Sequence, residues 1–233
     1  MQSGIQSLRR KNGFSQAYVA SVIGVSRPKY ISIEKGESEL TITQLEQLAD
    51  LYNMSTYDIL NTLSFKPEEN FEKFREVFLY ILEKVGNKPN VGKTVLYKLL
   101  YYSDFDYYEN TDQPLMGLKY MKNWFGPTPV SFHRMVKKME QDKEIEFATT
   151  TRYFEGEEYE QTRFIPLRWA KLDKFLKKEK ELLDYVLKQH SNKTAKKLSE
   201  ESHQDPPWIE HKIGEIIDYD KVFRRKSYQE RLL

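Results

Sequence analysis

Between Thr94 and Pro129 the chain runs TVLYKLLYYSDFDYYE and, a loop later, NWFGPTP, and no other stretch limits the possible folds as much. Leu96, Leu99, Leu100, Ser103 and Tyr107 recur at steps of three and four, which predicts a helix. Tyr97, Tyr101, Tyr102, Phe105 and Tyr108 fill the remaining angles, so this helix is apolar or aromatic around most of its axis. A helix of that kind is buried on nearly all sides, and its domain has to be built around it. Each tyrosine ring then needs a partner for its hydroxyl, or a path to water. Lys98, Asp104 and Asp106 are the partners nearest in sequence. Gly126-Pro127-Thr128-Pro129 ends the stretch with two prolines one residue apart, which predicts a rigid turn.

A chain of 233 residues, 39% hydrophobic, is enough for one or two domains with packed cores. The absence of cysteine excludes disulfides, cysteine-ligated metals and cysteine nucleophiles, and is compatible with a reducing compartment. No basic-then-apolar signal pattern opens the chain, and the longest apolar run, Val77 to Leu82, is far short of the roughly 20 residues that span a bilayer. The expectation is a soluble, cytoplasmic protein that does not engage a membrane. A net charge of +2 does not announce a nucleic-acid binder, so any such function rests on local charge.

Residues 1–64 are punctuated into five short helices. Ile5 and Leu8 mark the first, stopped by Asn12-Gly13; Ser15 caps a second containing Val19, Ala20 and Ile23; Ser26 caps a third with Pro28 in its first turn. A fourth begins at Thr43, and Thr56 to Leu60 forms the fifth. Two helices joined by Gly24-Val25-Ser26 are a helix-turn-helix, whose second helix is placed to enter a major groove. Ser15-Gln16, Ala20, the Gly24-Val25-Ser26 turn and Ile33-Glu34-Lys35-Gly36 together resemble the Xre/Cro-type helix-turn-helix family over residues 3–61. The resemblance implies that Gln16 lies at the phosphate backbone and that Arg27, Pro28, Lys29 and Ser32 face the groove, with Lys35 closing the contact surface. Arg27 is the best candidate for a base contact, since a guanidinium pairs with a guanine edge through two bonds. Pro28 departs from the polar residue often found there. Basic residues 9, 10, 11, 27, 29 and 35 equal acidic residues 34, 37, 39, 46, 50 and 58 in number. A module so nearly neutral makes few phosphate contacts, so a homodimer on paired half-sites of operator DNA is expected.

Residues 65–69 read as a linker, and 70–233 as a mainly helical α+β domain with a small antiparallel sheet. Phe71, Phe74, Phe78, Leu82 and Val85 predict its first helix. Gly86 to Thr94, GNKPNVGKT, imitates a phosphate loop but has five residues where that motif needs four, and a helix rather than a strand precedes it. Lys93-Thr94 is read as the start of the central helix. Leu118 to Phe125 reads as extended, Phe132, Met135, Val136 and Met139 as a helix, and Ile145 to Trp169 as a hairpin with an acidic tip at Glu155 to Glu160. Leu172, Phe175, Leu176, Leu182, Leu183, Val186 and Leu187 predict one long helix over Lys171 to Gln189, and Asn192-Lys193-Thr194 caps another over Ala195 to Ser202. Trp208, Ile209, Ile213, Ile216 and Ile217 are expected in the core. His203, Asp205, Glu210 and His211 lack the spacing of a metal or acid–base site, so no metal, cofactor or catalytic residue is expected.

Lys98-Leu99-Leu100-Tyr101 with Asp104, then Phe125-Gly126-Pro127-Thr128-Pro129, then Ser199, Ser202, His203 and Trp208 resemble, in that order, the Panacea (SocA-like) antitoxin domain over roughly residues 70–222. Phe125 stands where the pattern often has tyrosine, and Asp205-Pro206-Pro207 precedes the tryptophan. The resemblance implies an antitoxin that neutralises a cognate toxin protein by direct binding, with the helix-turn-helix repressing its own operon. Trp124, Phe125 and Trp208 are the candidate toxin-binding residues, because aromatics are enriched among interface anchors; the competing expectation puts both tryptophans in the core. The basic tail residues Lys221, Arg224, Arg225, Lys226 and Arg231 suit DNA, an acidic protein face or solvent. Two other readings stand beside this one: a prophage or ligand-responsive transcriptional repressor, and a proteolytic adaptor for a bound toxin. An enzyme is not expected, since no nucleophile–base pair, metal triad or phosphate loop is present.

Overall fold

The computed structural model describes residues 4–34, 38–63, 69–154 and 157–225. It divides into two compact units, Met1–Pro67 and Glu68–Leu233. Residues 65–68 of the expected linker, Lys35-Gly36, the Glu155-Gly156 tip, Lys226 and Arg231 lie outside the described residues.

The first unit contains α1 (Gly4–Lys11), α2 (Gln16–Val22), α3 (Arg27–Glu34), α4 (Ile42–Tyr52) and α5 (Thr56–Leu63). Each begins or ends for a local reason. Ser15 Oγ accepts the Tyr18 N–H (3.1 Å) at the start of α2, and Ser26 Oγ accepts the Lys29 N–H at the start of α3. Between them Gly24 turns at φ +66°, and the Val25 N–H reaches back to Ala20 O (2.9 Å). The fourth helix is capped by Thr41 in a reciprocal box with Gln44 rather than starting at Thr43. The inward residues Ile5, Val19, Ile23, Tyr30, Ile33, Leu48 and Ile59 form one core.

The second unit is mostly helical, with two small antiparallel sheets. Its elements are α6 (Phe71–Val85), α7 (Lys93–Thr111), β1 (Tyr120–Met121), β2 (Thr128–Pro129), α8 (Phe132–Gln141), β3 (Ile145–Phe154), β4 (Glu157–Pro166), α9 (Lys177–His190), α10 (Ala195–His203) and α11 (Pro206–Ile209), with 3-10 turns at Leu172–Lys174 and Tyr219–Arg224. As the sequence predicts, α7 is the centre: it packs against α9, α10, β2, β4 and the last 3-10 turn. Val95, Leu96, Leu99, Leu100, Tyr101, Phe105 and Tyr108 are all buried, which takes in every side of the helix. On one flank Phe132 meets Phe74, Phe78, Tyr97 and Phe164 edge-on, tying α6, α7, α8 and β4 together. The β3–β4 hairpin pairs Ile145 with Pro166 and Phe147 with Phe164, as the alternation requires.

Four expectations are corrected. First, the tyrosine hydroxyls of α7 do not use Lys98 or Asp106: Tyr101 donates to Asp205 (2.8 Å) and Tyr108 to Asp220 (2.6 Å). Asp104 takes the Tyr120 hydroxyl (3.0 Å) and the backbone N–H groups of Met116, Gly117 and Leu118. Second, the helix expected over Lys171 to Gln189 starts at Lys177, because the Glu179 carboxylate bonds the Leu176 N–H and fixes a helix terminus there; Leu172 and Leu176 are exposed. Third, Ile209, Ile213 and Ile216 are exposed and Ile217 alone of those isoleucines is core, since residues 214–217 run along β1, with Gly214 N–H to Lys122 O, Lys122 N–H to Glu215 O and Ile217 N–H to Tyr120 O. Fourth, the described basic residues of the tail are spent internally. Arg225 binds Asp205, Asp106 (2.7 Å) and Glu109 (2.9 Å), while Lys221 and Arg224 both pair with Glu210.

Candidate functional site

The helix-turn-helix unit presents the first turn of α3 to solvent. Arg27, Pro28 and Lys29 are exposed, and Ser32 and Gln16 are half-buried. Gln16 Nε2 donates to Glu34 Oε2 (2.9 Å), and its Oε1 accepts from Arg27 Nη2 (3.3 Å). Glu34 is almost wholly buried and receives Arg9 Nε at 2.5 Å, while Arg9 Nη1 donates to Phe14 O (2.9 Å). A polar chain Arg9–Glu34–Gln16–Arg27 thus links α1, α2 and α3 and aims the Arg27 guanidinium. Arg9, counted in the basic cluster of the sequence, is consumed in that buried pair. The predicted contact residue Lys35 lies outside the described residues.

In the second unit, segments distant in sequence converge on the turn at residues 123–127. Lys98, on α7, is 1% exposed, and its Nζ donates to Pro127 O (3.1 Å). Burial drives its pKa down to about 7. Ser199, on α10, donates from Oγ to Phe125 O (3.0 Å), and Trp208, on α11, donates from Nε1 to Asn123 O (3.3 Å). Gly126 adopts φ +92°, where a Cβ would lie 2.3 Å from Ser202 Oγ and 2.8 Å from Lys98 Nζ, so only glycine lets these three residues meet. The His203 ring stacks on Trp208 at 4.2 Å between centroids, and Lys122 Nζ sits 3.7 Å over the same indole while donating to His211 O. Burial, then the charges of Lys98 and Lys122, lower the His203 pKa.

This turn carries two of the three predicted contact residues outward: Trp124 is 72% and Phe125 73% exposed. Trp208 is half-buried, its ring and N–H both engaged. The expectation that both tryptophans are core therefore fails for Trp124. Trp124 lies between two residues whose carbonyls are both held, Asn123 by Trp208 and Phe125 by Ser199.

A groove of about 1100 Å³ lies elsewhere on this unit, lined in part by Tyr102, Tyr107, Tyr185, His190, Glu201 and Arg225. His190 stacks face to face on Tyr102 (4.2 Å, 5°), and burial holds its pKa down to about 4, so it is neutral at ordinary pH. Three of the four residues weighed for a metal are committed elsewhere: Asp205 to Arg225 and Tyr101, Glu210 to Lys221 and Arg224, and His211 to Pro207 O and the Asp218 N–H. No group of three or more His, Asp or Glu among the described residues is placed to hold a metal ion. Among the described residues, no helix is long and apolar enough to cross a membrane.

Sequence reasoning missed Asn123 and Lys122 as parts of the turn and Arg225 as a structural cation. A lysine in an otherwise apolar helix was the available signal for Lys98, and it did not say which carbonyl would accept its hydrogen bond.

Residues 96–209 match the family described as Antitoxin SocA-like, Panacea domain, and residues 5–59 match the Helix-turn-helix family. A protein of Pyrococcus abyssi (strain GE5 / Orsay), provisionally named an HTH-type transcriptional regulatory protein, is 32% identical over 99 residues, covering 39% of this chain. The chain spans only 30% of that relative's length. No solved structure gives a significant match.

Proposed function

We propose that this chain, which joins a helix-turn-helix domain to an antitoxin SocA-like Panacea domain, is a DNA-binding antitoxin: it neutralises a toxin protein by direct binding and represses its own operon. The observation that carries the partner-binding half is the turn at 123–127, where Lys98, Ser199 and Trp208 hold the backbone and two aromatic side chains face solvent. Exposed aromatics on a fixed backbone suit a protein interface, where such residues supply most of the affinity. The DNA half is supported by the exposed Arg27 and Lys29 at the start of α3, with two copies of the chain expected on paired half-sites.

The test is a growth assay in which each gene adjacent to this one is induced with and without the protein. One neighbour should arrest growth, and co-expression should restore it while the toxin stays abundant and bound. Toxin loss over time would instead indicate delivery to a protease. If no neighbour is toxic, the antitoxin reading falls, and a ligand-responsive repressor becomes the better account. In that second reading the groove of about 1100 Å³, where Tyr102, Tyr107 and Tyr185 lie among polar and charged side chains, is where a ligand would bind.

A further inference from the structure

We propose that Lys98, Ser199 and Trp208 are positioning residues that preset the 123–127 turn, so that Trp124 and Phe125 enter a concave apolar pocket on a folded protein partner. The proposal rests on the partner-binding reading above and says how that partner is held.

Three side chains from three helices each take one carbonyl of a five-residue turn: Trp208 takes Asn123 O, Ser199 takes Phe125 O and Lys98 takes Pro127 O. The Gly126 N–H closes the turn on Asn123 O (2.9 Å). With those acceptors used, the turn offers a visiting strand little to pair with, so recognition runs through side chains rather than strand addition. The ordering entropy of the loop is met in folding, before any partner arrives. Two large apolar groups are nevertheless left outward, a placement that folding alone does not reward.

The occupant is a folded protein of another sequence, as the partner-binding reading requires, and not nucleic acid. Nucleic acid stacking on the aromatics would need cations along its backbone. Here Lys98 is buried on Pro127 O, and Lys122 is held by His211 O and the Trp208 ring. Trp124 and Phe125 together expose roughly 300 Å², which makes them an anchor within an interface of ~800 Å² per partner rather than the whole of it. A protruding pair that small acts as an anchor in a pocket, with the larger partner surface closing around it.

The test uses the full chain labelled with 5-fluorotryptophan and the purified products of the flanking genes. Trp124→Phe assigns the Trp124 fluorine line, which is expected to be single and narrow. Ser199→Ala and Lys98→Met should broaden or split that line while leaving Trp169 sharp, and should weaken partner binding about tenfold. Ser199→Ala removes only a surface hydroxyl, so it decides the matter if Lys98→Met fails to fold. Trp124→Ala with Phe125→Ala should weaken partner binding about 100-fold, with the thermal midpoint and affinity for the DNA upstream of its own gene unchanged. Binding within twofold of wild type for that double variant overturns the proposal, as does an unaltered Trp124 line in both clamp variants. A flanking product that binds wild type and variants alike sinks this inference only; if none binds wild type, the partner reading falls with it.

Discussion

Lys98 takes its amine into a place where an ammonium is poorly solvated, and the consequence can be read in stability. Burial lowers its pKa to about 7, while in the unfolded chain it titrates near 10.5. Between those values the unfolded chain holds one more proton than the folded one, so stability rises with pH there and is flat below about 7. The contribution is about 1.4 kcal/mol per pH unit. Lys98→Met keeps the length and apolar volume of the side chain and removes the titration. Wild-type unfolding free energy should therefore gain roughly 2 kcal/mol on the variant between pH 7 and pH 9, measured by urea unfolding of both proteins at each pH. An unchanged difference would mean that the folded protein keeps the ammonium charged. The neutral amine still donates to Pro127 O, so the clamp on the turn does not depend on that charge.

At the scale of the element, α7 shows how buried charge is arranged around an aromatic helix. Asp106 and Glu109, one turn apart, and Asp205 at the start of α11 all meet the Arg225 guanidinium, which is 5% exposed on its side chain. Removing the cation leaves carboxylates buried without their partner. Arg225→Met should cost about 3–5 kcal/mol in chemical unfolding, whereas Arg224→Ala, at an exposed pair with Glu210, should change stability by less than about 1 kcal/mol. Equal effects would show that the Arg225 cluster is solvated. The burial of α7 was legible in the sequence because periodicity reports which faces of a helix are apolar. Its hydroxyl partners were not, because Asp205 and Asp220 lie over a hundred residues further on and only the fold delivers them. The same limit hid Arg225, whose surroundings in sequence are charged and look like a solvated tail. The hairpin was legible from its alternation. The break at Leu176 was not, since Leu172, Phe175 and Leu176 continue the helical spacing through it and leucine is a poor N-cap. Of the candidate site, the Lys98, Gly126 and Ser199 segments were singled out by resemblance, while their convergence and the outward pose of Trp124 are visible only in the fold.

The whole molecule consists of two compact units, and the proposed division of DNA and partner binding between them can be tested through the first. Arg27 stands exposed at the start of α3, with its guanidinium on Gln16 Oε1, whereas Arg9 is locked on Glu34 inside the same unit. The two arginines therefore predict different failures. Arg27→Ala should weaken binding to the DNA upstream of its own gene by about 1–3 kcal/mol if the side chain reads a base. It should leave the thermal midpoint and partner binding as they are. Arg9→Ala should instead lower the stability of the helix-turn-helix unit, because Glu34 is left buried without its cation, and DNA affinity should fall only as far as folding does. Binding isotherms over a salt series separate a base contact from a phosphate contact. Loss of a phosphate contact lowers the slope of log affinity against log salt by about one, and loss of a base contact leaves that slope in place while relaxing sequence preference at one position. An Arg27→Ala protein that binds its own upstream DNA as tightly as wild type, with the same slope, would take the DNA contact away from the start of α3 and require another face of this unit to carry it.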